Sequence, residues 1–291
     1  MATTPLIVIV GPTASGKTAL AVDLATKFNG EIICADSRTV YKGMDIGTAK
    51  PTLDEQRRVP HWGIDLVEPD DVFTAADFQR YANQKIADIR KRGKVPFLVG
   101  GTGLYVDSVI FDYRFGAKPN ADRRRELEEM TLDALLKYCE NSNIKLPENS
   151  TNKRYIIRAI EQKGINNSSL NEPIKDCIIV GIATKREILR SRIEDRAEQL
   201  FANGVVKEAI MLGKIYGWDS EAMTGNIYQL VNKYINGELS MIELKNRFIV
   251  LDWRLAKRQL TWLRRNQYIE WFGIADARSK IAHTLESRRQ S

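Results

Sequence analysis

Residues 11–18, Gly11-Pro12-Thr13-Ala14-Ser15-Gly16-Lys17-Thr18, satisfy the spacing G-x-x-x-x-G-K-[ST] in full. The glycines let backbone N–H groups turn inward around an oxyanion, and a helix starting at the lysine adds the positive end of its dipole. Lys17 supplies a mobile charge, and the Thr18 hydroxyl is a hard oxygen ligand for a magnesium ion. The chemistry this pattern supports is polyphosphate binding. It does not say which polyphosphate, so a small-molecule kinase stays open.

Three other groups bear on the same chemistry. Asp36 follows an apolar run and could hold magnesium or accept a proton from a nucleophile; the plainer alternative is an aspartate capping its own turn with Ser37. Gly100-Gly101-Thr102-Gly103 is a second permissive backbone turn whose Thr102 hydroxyl could donate to a leaving oxygen, or a simple tight turn. Arg192 and Arg196 stand four residues apart, one helical turn, and could clamp a diphosphate or pair with Glu194, Asp195 or Glu198.

These groups need a scaffold that brings them to one edge. Leu6-Ile7-Val8-Ile9-Val10 is a continuous apolar run, as expected of a strand buried on both faces of a parallel sheet. A helical pattern spans 17–28, a second short strand 31–35, a helix 71–92 and a third buried strand 95–99. Between 37 and 69 glycine and proline recur too often for long regular elements. Asp36 and Gly100 both follow strands, which puts them at the carboxyl edge where open α/β folds bind ligands. The expected fold class is α/β: a P-loop NTPase-like parallel sheet flanked by helices.

The charged helical stretch 121–139, a polar stretch 141–152 and a helical stretch 153–162 read as a small insertion. The domains are accordingly 1–115 with 175–291 for the core and 116–174 for a helical insertion. A strand at 177–183 is followed by long helical patterns, and the tail after Asp276 is expected to fray. On the helix 247–265, at ~100° per residue, Arg247, Arg254, Arg258 and Arg265 fall within roughly 20° of one line. Ile249, Trp253, Ala256, Leu260 and Leu263 take the opposite side. Such a row suits a phosphodiester backbone or is an ordinary solvated face.

Over 291 residues, 44 Lys and Arg against 37 Asp and Glu give a formal charge of +7, which favours polyanionic partners. Cys34, Cys139 and Cys177 are too widely spaced for a disulfide framework or a CxxC metal site, and His61 and His283 cannot build a multi-histidine centre. The apolar start is too short for a signal segment, and no run approaches the ~18 apolar residues of a membrane span. A soluble cytoplasmic enzyme is expected.

Together these residues resemble the tRNA dimethylallyltransferases, also called tRNA isopentenyltransferases. The landmarks occur in order: GPTASGKT at 11–18, ADSRTVYKGMDIGTAKP at 35–51, VPHWGIDLVEP at 59–69 and GKVPFLVGGTGLY at 93–105, then KRYIIRAIE at 153–161, RIEDR at 192–196 and AKRQLTWLRR at 256–265. The resemblance implies transfer of the five-carbon group of dimethylallyl diphosphate to N6 of the tRNA adenosine on the 3′ side of the anticodon, with release of diphosphate, a need for Mg2+ and no consumption of ATP. It implies that the glycine loop holds the diphosphate, that Asp36 is the general base, and that Thr102 and Arg196 support the leaving group, while Thr18 and Asp36 stay the metal ligands that the residues themselves offer. By the same resemblance Asp36, Ser37, Arg38, Thr39, Thr102, Arg124, Arg154, Arg158, Lys257, Arg258 and Gln259 touch tRNA, and the enzyme acts as a monomer without a membrane partner.

The sequence departs from that family at Thr39, where a glutamine is usual, and at Ile227-Tyr228-Gln229-Leu230, which keeps only the tyrosine of a Gly-Tyr-Lys-Glu-like segment. Its insertion is also short. A free-adenylate isopentenyltransferase shares the chemistry, and the basic helix and the insertion argue for tRNA instead. A nucleic-acid-binding module with a degenerate site is disfavoured because Lys17, Thr18, Asp36 and Thr102 are all present.

Overall fold

The computed structural model describes residues 4–116, 120–147, 149–162 and 170–290. The chain splits into two compact units, Met1–Ile110 with Pro173–Ser291, and Phe111–Glu172. No helix among the described residues is long and apolar enough to cross a membrane.

The larger unit opens with β1 (Leu6–Val10), α1 (Lys17–Phe28), β2 (Gly30–Ala35), α2 (Leu53–Arg58), β3 (His61–Trp62), α3 (Ala75–Lys91), β4 (Val95–Gly100) and α4 (Gly103–Ile110). In the second unit, α5 (Ala121–Glu129), α6 (Leu132–Asn141) and α7 (Lys153–Glu161) follow. The larger unit resumes with β5 (Cys177–Ile182), α8 (Arg186–Ala202), α9 (Val205–Tyr216), a 3-10 turn at Ala222–Thr224, α10 (Asn226–Ile235), α11 (Met241–Leu263), β6 (Glu270–Phe272) and α12 (Ile274–Gln290).

The strands form a six-stranded sheet in the order β3-β2-β4-β1-β5-β6, every pair parallel. This is the expected α/β class. The unbroken apolar run of β1 is explained by its place: β4 and β5 flank it, and all five of its residues are fully buried. Register then sets the site. Val10 and Ala35 both pair with Gly100, so the chain leaves β1, β2 and β4 at one level of the carboxyl edge.

Three elements depart from the sequence reading. First, α3 begins at Ala75 instead of residue 71, because Thr74 and Asp77 form a reciprocal capping box that fixes the helix start. Second, α11 begins six residues before 247, at a Ser240–Glu243 capping box, and ends before Arg265. Third, the stretch after Asp276, where fraying is expected, is helical through residue 290. It forms α12, with Ala277, Ile281 and Leu285 buried at four-residue intervals in the same core as α1, and Arg278 Nη2 bonded to Asp23 Oδ2 at 2.9 Å. Ile274 and Ala282 pack against the same core, and Glu286 and Arg288 add ion pairs to Lys27 and Asp176. In the smaller unit, α5, α6 and α7 enclose a core of Leu127, Leu135, Cys139, Ile156, Ile157 and Ile160.

Candidate active site

The loop between β1 and α1 is shaped by left-handed backbone at Ala14, φ 61°, and Gly16, φ 88°. The second suits glycine and the first is unusual for a residue with a Cβ. Ser15 N donates back to Pro12 O at 3.3 Å, and a Cβ on Gly11 would stand 2.8 Å from Ser15 Oγ, so this position closes tightly. Lys17 Nζ donates to Pro12 O at 3.1 Å. Desolvation lowers the Lys17 pKa to about 8; the nearby Asp36 opposes that shift and Arg196 adds to it.

Helix α8 settles the arginine alternative. Arg192 Nη1 donates to Ser15 O at 3.1 Å, and Arg196 Nη1 donates to Thr13 Oγ1. The acids of the same helix have other partners: Glu194 pairs with Arg190 at 3.2 Å and Glu198 with Lys245 at 2.7 Å. Both candidate arginines therefore face the glycine loop. From α11, Gln259 Oε1 accepts from Thr13 N at 2.8 Å and clamps the other side of the loop.

At the ends of β2 and β4, Asp36 and Thr102 come together as the register requires. Thr102 N donates to Ala35 O at 3.2 Å, and Thr102 Oγ1 accepts from Ser37 N at 3.1 Å. Asp36 Oδ1 accepts from Arg38 N at 2.8 Å, so one carboxylate oxygen does cap its own turn. Thr39 is buried and donates to Asp36 O at 3.4 Å, while the Arg38 guanidinium is held by Glu221 O at 3.2 Å, Ala222 O at 3.3 Å and Thr224 Oγ1 at 3.2 Å. Glycine at 101 and 103 lets α11 approach: an added Cβ would lie 2.5 Å from Gln259 Nε2 or 2.0 Å from Trp262 Cδ1.

These groups line one cavity of about 660 Å³, within the size range of small-molecule sites. Thr13, Ala14, Gly16, Lys17 and Thr18 line it from the loop, Asp36 to Thr39 and Thr102 from the sheet edge, and Arg192, Arg196, Arg258 and Gln259 from α8 and α11. Gly11, Pro12 and Ser15 stand behind the loop surface. Lys257 is exposed, its ammonium 5.5 Å from the Trp253 ring centre. Arg124, Arg154 and Arg158 belong to the smaller unit, where Arg124 and Arg158 each bond the buried Glu161, at 3.2 and 3.3 Å. On α11, Arg247, Arg254 and Arg258 are exposed and enter no ion pair among the described residues.

Sequence reasoning missed two acids. Asp252, on α11, is buried at 4 % exposure and lines the cavity; burial raises its pKa, with Arg196 and Lys17 opposing. Its signal was present: Phe248, Asp252 and Ala256 are successive buried positions of one stripe, and an aspartate is out of place there. Glu208, on α9, is also buried, and its carboxylate accepts from the backbone N–H groups of Asp45, Ile46 and Gly47 and from the Tyr228 hydroxyl. No local pattern around Glu208 points to that loop.

The sequence profile of the IPP transferase family matches residues 39–266 of the chain. A tRNA dimethylallyltransferase of Thermoanaerobacter sp. (strain X514) is 39 % identical over 292 aligned residues, covering 93 % of this chain and 92 % of the relative. One from Anoxybacillus flavithermus is 37 % identical, covering 97 % and 96 %. The crystal structure of the full-length tRNA isopentenylpyrophosphate transferase of Bacillus halodurans superposes with a TM-score of 0.74 at 36 % identity, covering 98 % of each chain. Matched in sequence and in fold over most of its length, the chain belongs to the IPP transferase family, among the tRNA dimethylallyltransferases.

Proposed function

We propose that this protein transfers the dimethylallyl group of dimethylallyl diphosphate to N6 of the tRNA adenosine on the 3′ side of the anticodon, releasing diphosphate. The observation that carries the reading is the mixed lining of one cavity. Lys17 and Arg196 bring positive charge to it, Thr18 and Thr102 bring hydroxyls, and Asp36 brings a carboxylate close enough to Lys17 to act on its charge. The glycine loop takes the role of a P-loop whose polyphosphate is the prenyl donor.

In this reading the N6 lone pair attacks C1 of the allylic group. A C–N bond forms as the C–O bond breaks, and the electron pair leaves with the diphosphate. Lys17, Arg196 and the loop N–H groups meet that charge in an arrangement already built before the reaction. Asp36 takes the proton lost by the amine, and Thr102 supports the leaving oxygen. In the larger unit Asp36, Ser37, Arg38, Thr39 and Thr102 at the sheet edge and Lys257, Arg258 and Gln259 on α11 would touch tRNA; in the smaller unit, taken by itself, Arg124, Arg154 and Arg158 would do so. The adenine must leave its stack to reach a cavity of this kind.

The donor set fits magnesium. Thr18 and Asp36 offer hard oxygens to one cavity, and the described residues contain no cluster of three or more His, Cys, Asp or Glu that would cage a metal. Magnesium commonly binds through one or two carboxylates and takes substrate phosphate oxygens and water for the rest. When bound, it supplies charge neutralisation of the diphosphate. One chain provides every group named, which supports action as a monomer, and its substrate tRNA sets the reaction in the cytoplasm.

Purified protein with Mg2+ and radiolabelled dimethylallyl diphosphate is tested against tRNA, AMP and ATP in parallel. Label should enter tRNA alone, and Asp36→Ala should abolish the transfer. Label in AMP, or phosphorylation of a small acceptor from ATP, would overturn the assignment.

A further inference from the structure

We propose that Asp252 is the carboxylate ligand of the divalent cation that accompanies the diphosphate, which leaves Asp36 to proton transfer. The proposal rests on the reading of the cavity as a diphosphate site.

Asp252 projects from α11 into the cavity at 4 % exposure, and its Oδ2 has no hydrogen-bond partner among the described residues. A buried carboxylate is normally paired or bound to a metal. Asp252 is not paired. The charged groups around it are Lys17 at the start of α1, Arg196 on α8 and Asp36 after β2. Neither cation forms an ion pair with it; Lys17 Nζ bonds Pro12 O, and Arg196 Nη1 bonds Thr13 Oγ1. Among the groups that line the cavity, Lys17, Arg196, Asp36 and Asp252 thus form no ion pair with one another. That lining matches a ligand carrying both signs, a metal diphosphate, better than a bare anion, which a carboxylate would repel.

The two carboxylates also need different tasks. A bound divalent cation stabilises the ionised form of a carboxylate and makes it a poor proton acceptor. Asp36 already spends one oxygen on Arg38 N at the turn where the sheet edge opens. Asp252 lies beside Lys17 and Arg196, the phosphate-binding cations. Different surroundings thus divide the roles between two carboxylates of one site.

The competing role for Asp252 is a counterion that tempers repulsion between Lys17 and Arg196, and it predicts a different response. The test is titration calorimetry of inorganic diphosphate, with and without Mg2+, on the wild type and on Asp252→Asn. If Asp252 holds the cation, the gain in diphosphate affinity that Mg2+ gives the wild type falls about 10–100-fold in Asp252→Asn, while diphosphate alone binds at least as tightly. An unchanged Mg2+-dependent gain overturns the proposal. Asp252→Ser, which also removes the charge but needs less space, is measured alongside, so that a folding defect in one variant does not decide the result. Manganese resonance spectra with diphosphate give the same answer without turnover. If the wild type binds no diphosphate at all, the diphosphate reading itself fails, together with this proposal. If it binds and Asp252→Asn keeps the gain, only the role of Asp252 fails.

Discussion

Replacing Glu208 tests whether one buried carboxylate holds a wall of the cavity. Its Oε2 accepts from Asp45 N at 2.9 Å and Ile46 N at 2.7 Å, and its Oε1 from Gly47 N at 2.8 Å and the Tyr228 hydroxyl at 2.9 Å. Burial and that carboxylate keep Tyr228 neutral, as a donor. Residues 47–52, just beyond the three bonded N–H groups, line the cavity. Glu208→Ala leaves three backbone donors and a hydroxyl without partners. At about 1–3 kcal/mol for each unsatisfied group, less what water entering from the cavity restores, a loss of about 3–5 kcal/mol follows. Glu208→Gln is milder, because one amide oxygen still accepts two bonds and the tyrosine hydroxyl can turn to accept from the amide NH2. One backbone N–H is then stranded, at about 2 kcal/mol. The matching readout is hydrogen exchange of the Asp45, Ile46 and Gly47 amides, since a two-unit chain need not unfold in one step. Protection should fall about 30-fold in Glu208→Gln and at least about 100-fold in Glu208→Ala, with a raised KM for the prenyl donor. Amides in Glu208→Gln protected within about threefold of the wild type would refute the reasoning.

The pKa of Lys17 gives a pH signature. Its free-state value of about 8 lies below the ordinary 10.5, so the folded chain carries fewer protons than the unfolded chain between those values. The desolvation penalty is therefore full below pH 8 and is relieved as pH rises toward 10.5. Diphosphate affinity needs the charged form: it should fall toward tenfold per pH unit above about 8, and the profile should flatten in Lys17→Met. Changing Arg247 and Arg254 together to Gln should weaken tRNA binding and reduce the slope of log affinity against log salt by about 2, with the donor KM unchanged in the transfer assay. Gly103→Ala would drive a Cβ to within 2.0 Å of Trp262 Cδ1. Thermal denaturation should show a loss of at least about 1–3 kcal/mol.

How legible the fold was in the sequence depends on how many neighbours each element has. β1, β2 and β4 are buried along their whole length and are apolar nearly throughout, with Glu31 of β2 the charged exception, so they stood out. β3 has two residues and β6 three, too few to show a period, and they join the sheet by pairing with β2 and β5. α12 buries Ala277, Ile281 and Leu285 in the core, and four-residue spacing of three apolar groups among charges is a weak signal. The start of α11 is hidden in the sequence for a related reason. Between Met241 and Leu251 the apolar residues spread around the helix, with Ile242 and Val250 well exposed, so the stripe sharpens only after the capping box has begun the helix.

The site was legible as residue types and illegible as pairings. Asp36 and Thr102 meet because Ala35 and Gly100 share a register, a fact of topology that no spacing of 66 positions encodes. Arg192 and Arg196 had acids within one helical turn on their own helix, and local rules favoured neither outcome. The decision was made by Ser15 O and Thr13 Oγ1, some 180 residues away. Asp252 is the reverse case, in which a local rule spoke and was not heeded. An aspartate inside an apolar stripe is costly if it faces packed side chains, because nothing there can hydrogen-bond it, so a helix that keeps one there must turn that position toward polar groups. α11 does so by leaving the apolar contacts of the stripe to Phe248 and Ala256 while Asp252 lines the cavity within reach of the charges of Lys17 and Arg196. A lone acid in an otherwise apolar stripe therefore marks where a helix meets a polar cavity before any coordinates are known, and in this chain it marks where α11 joins the lining that the glycine loop begins.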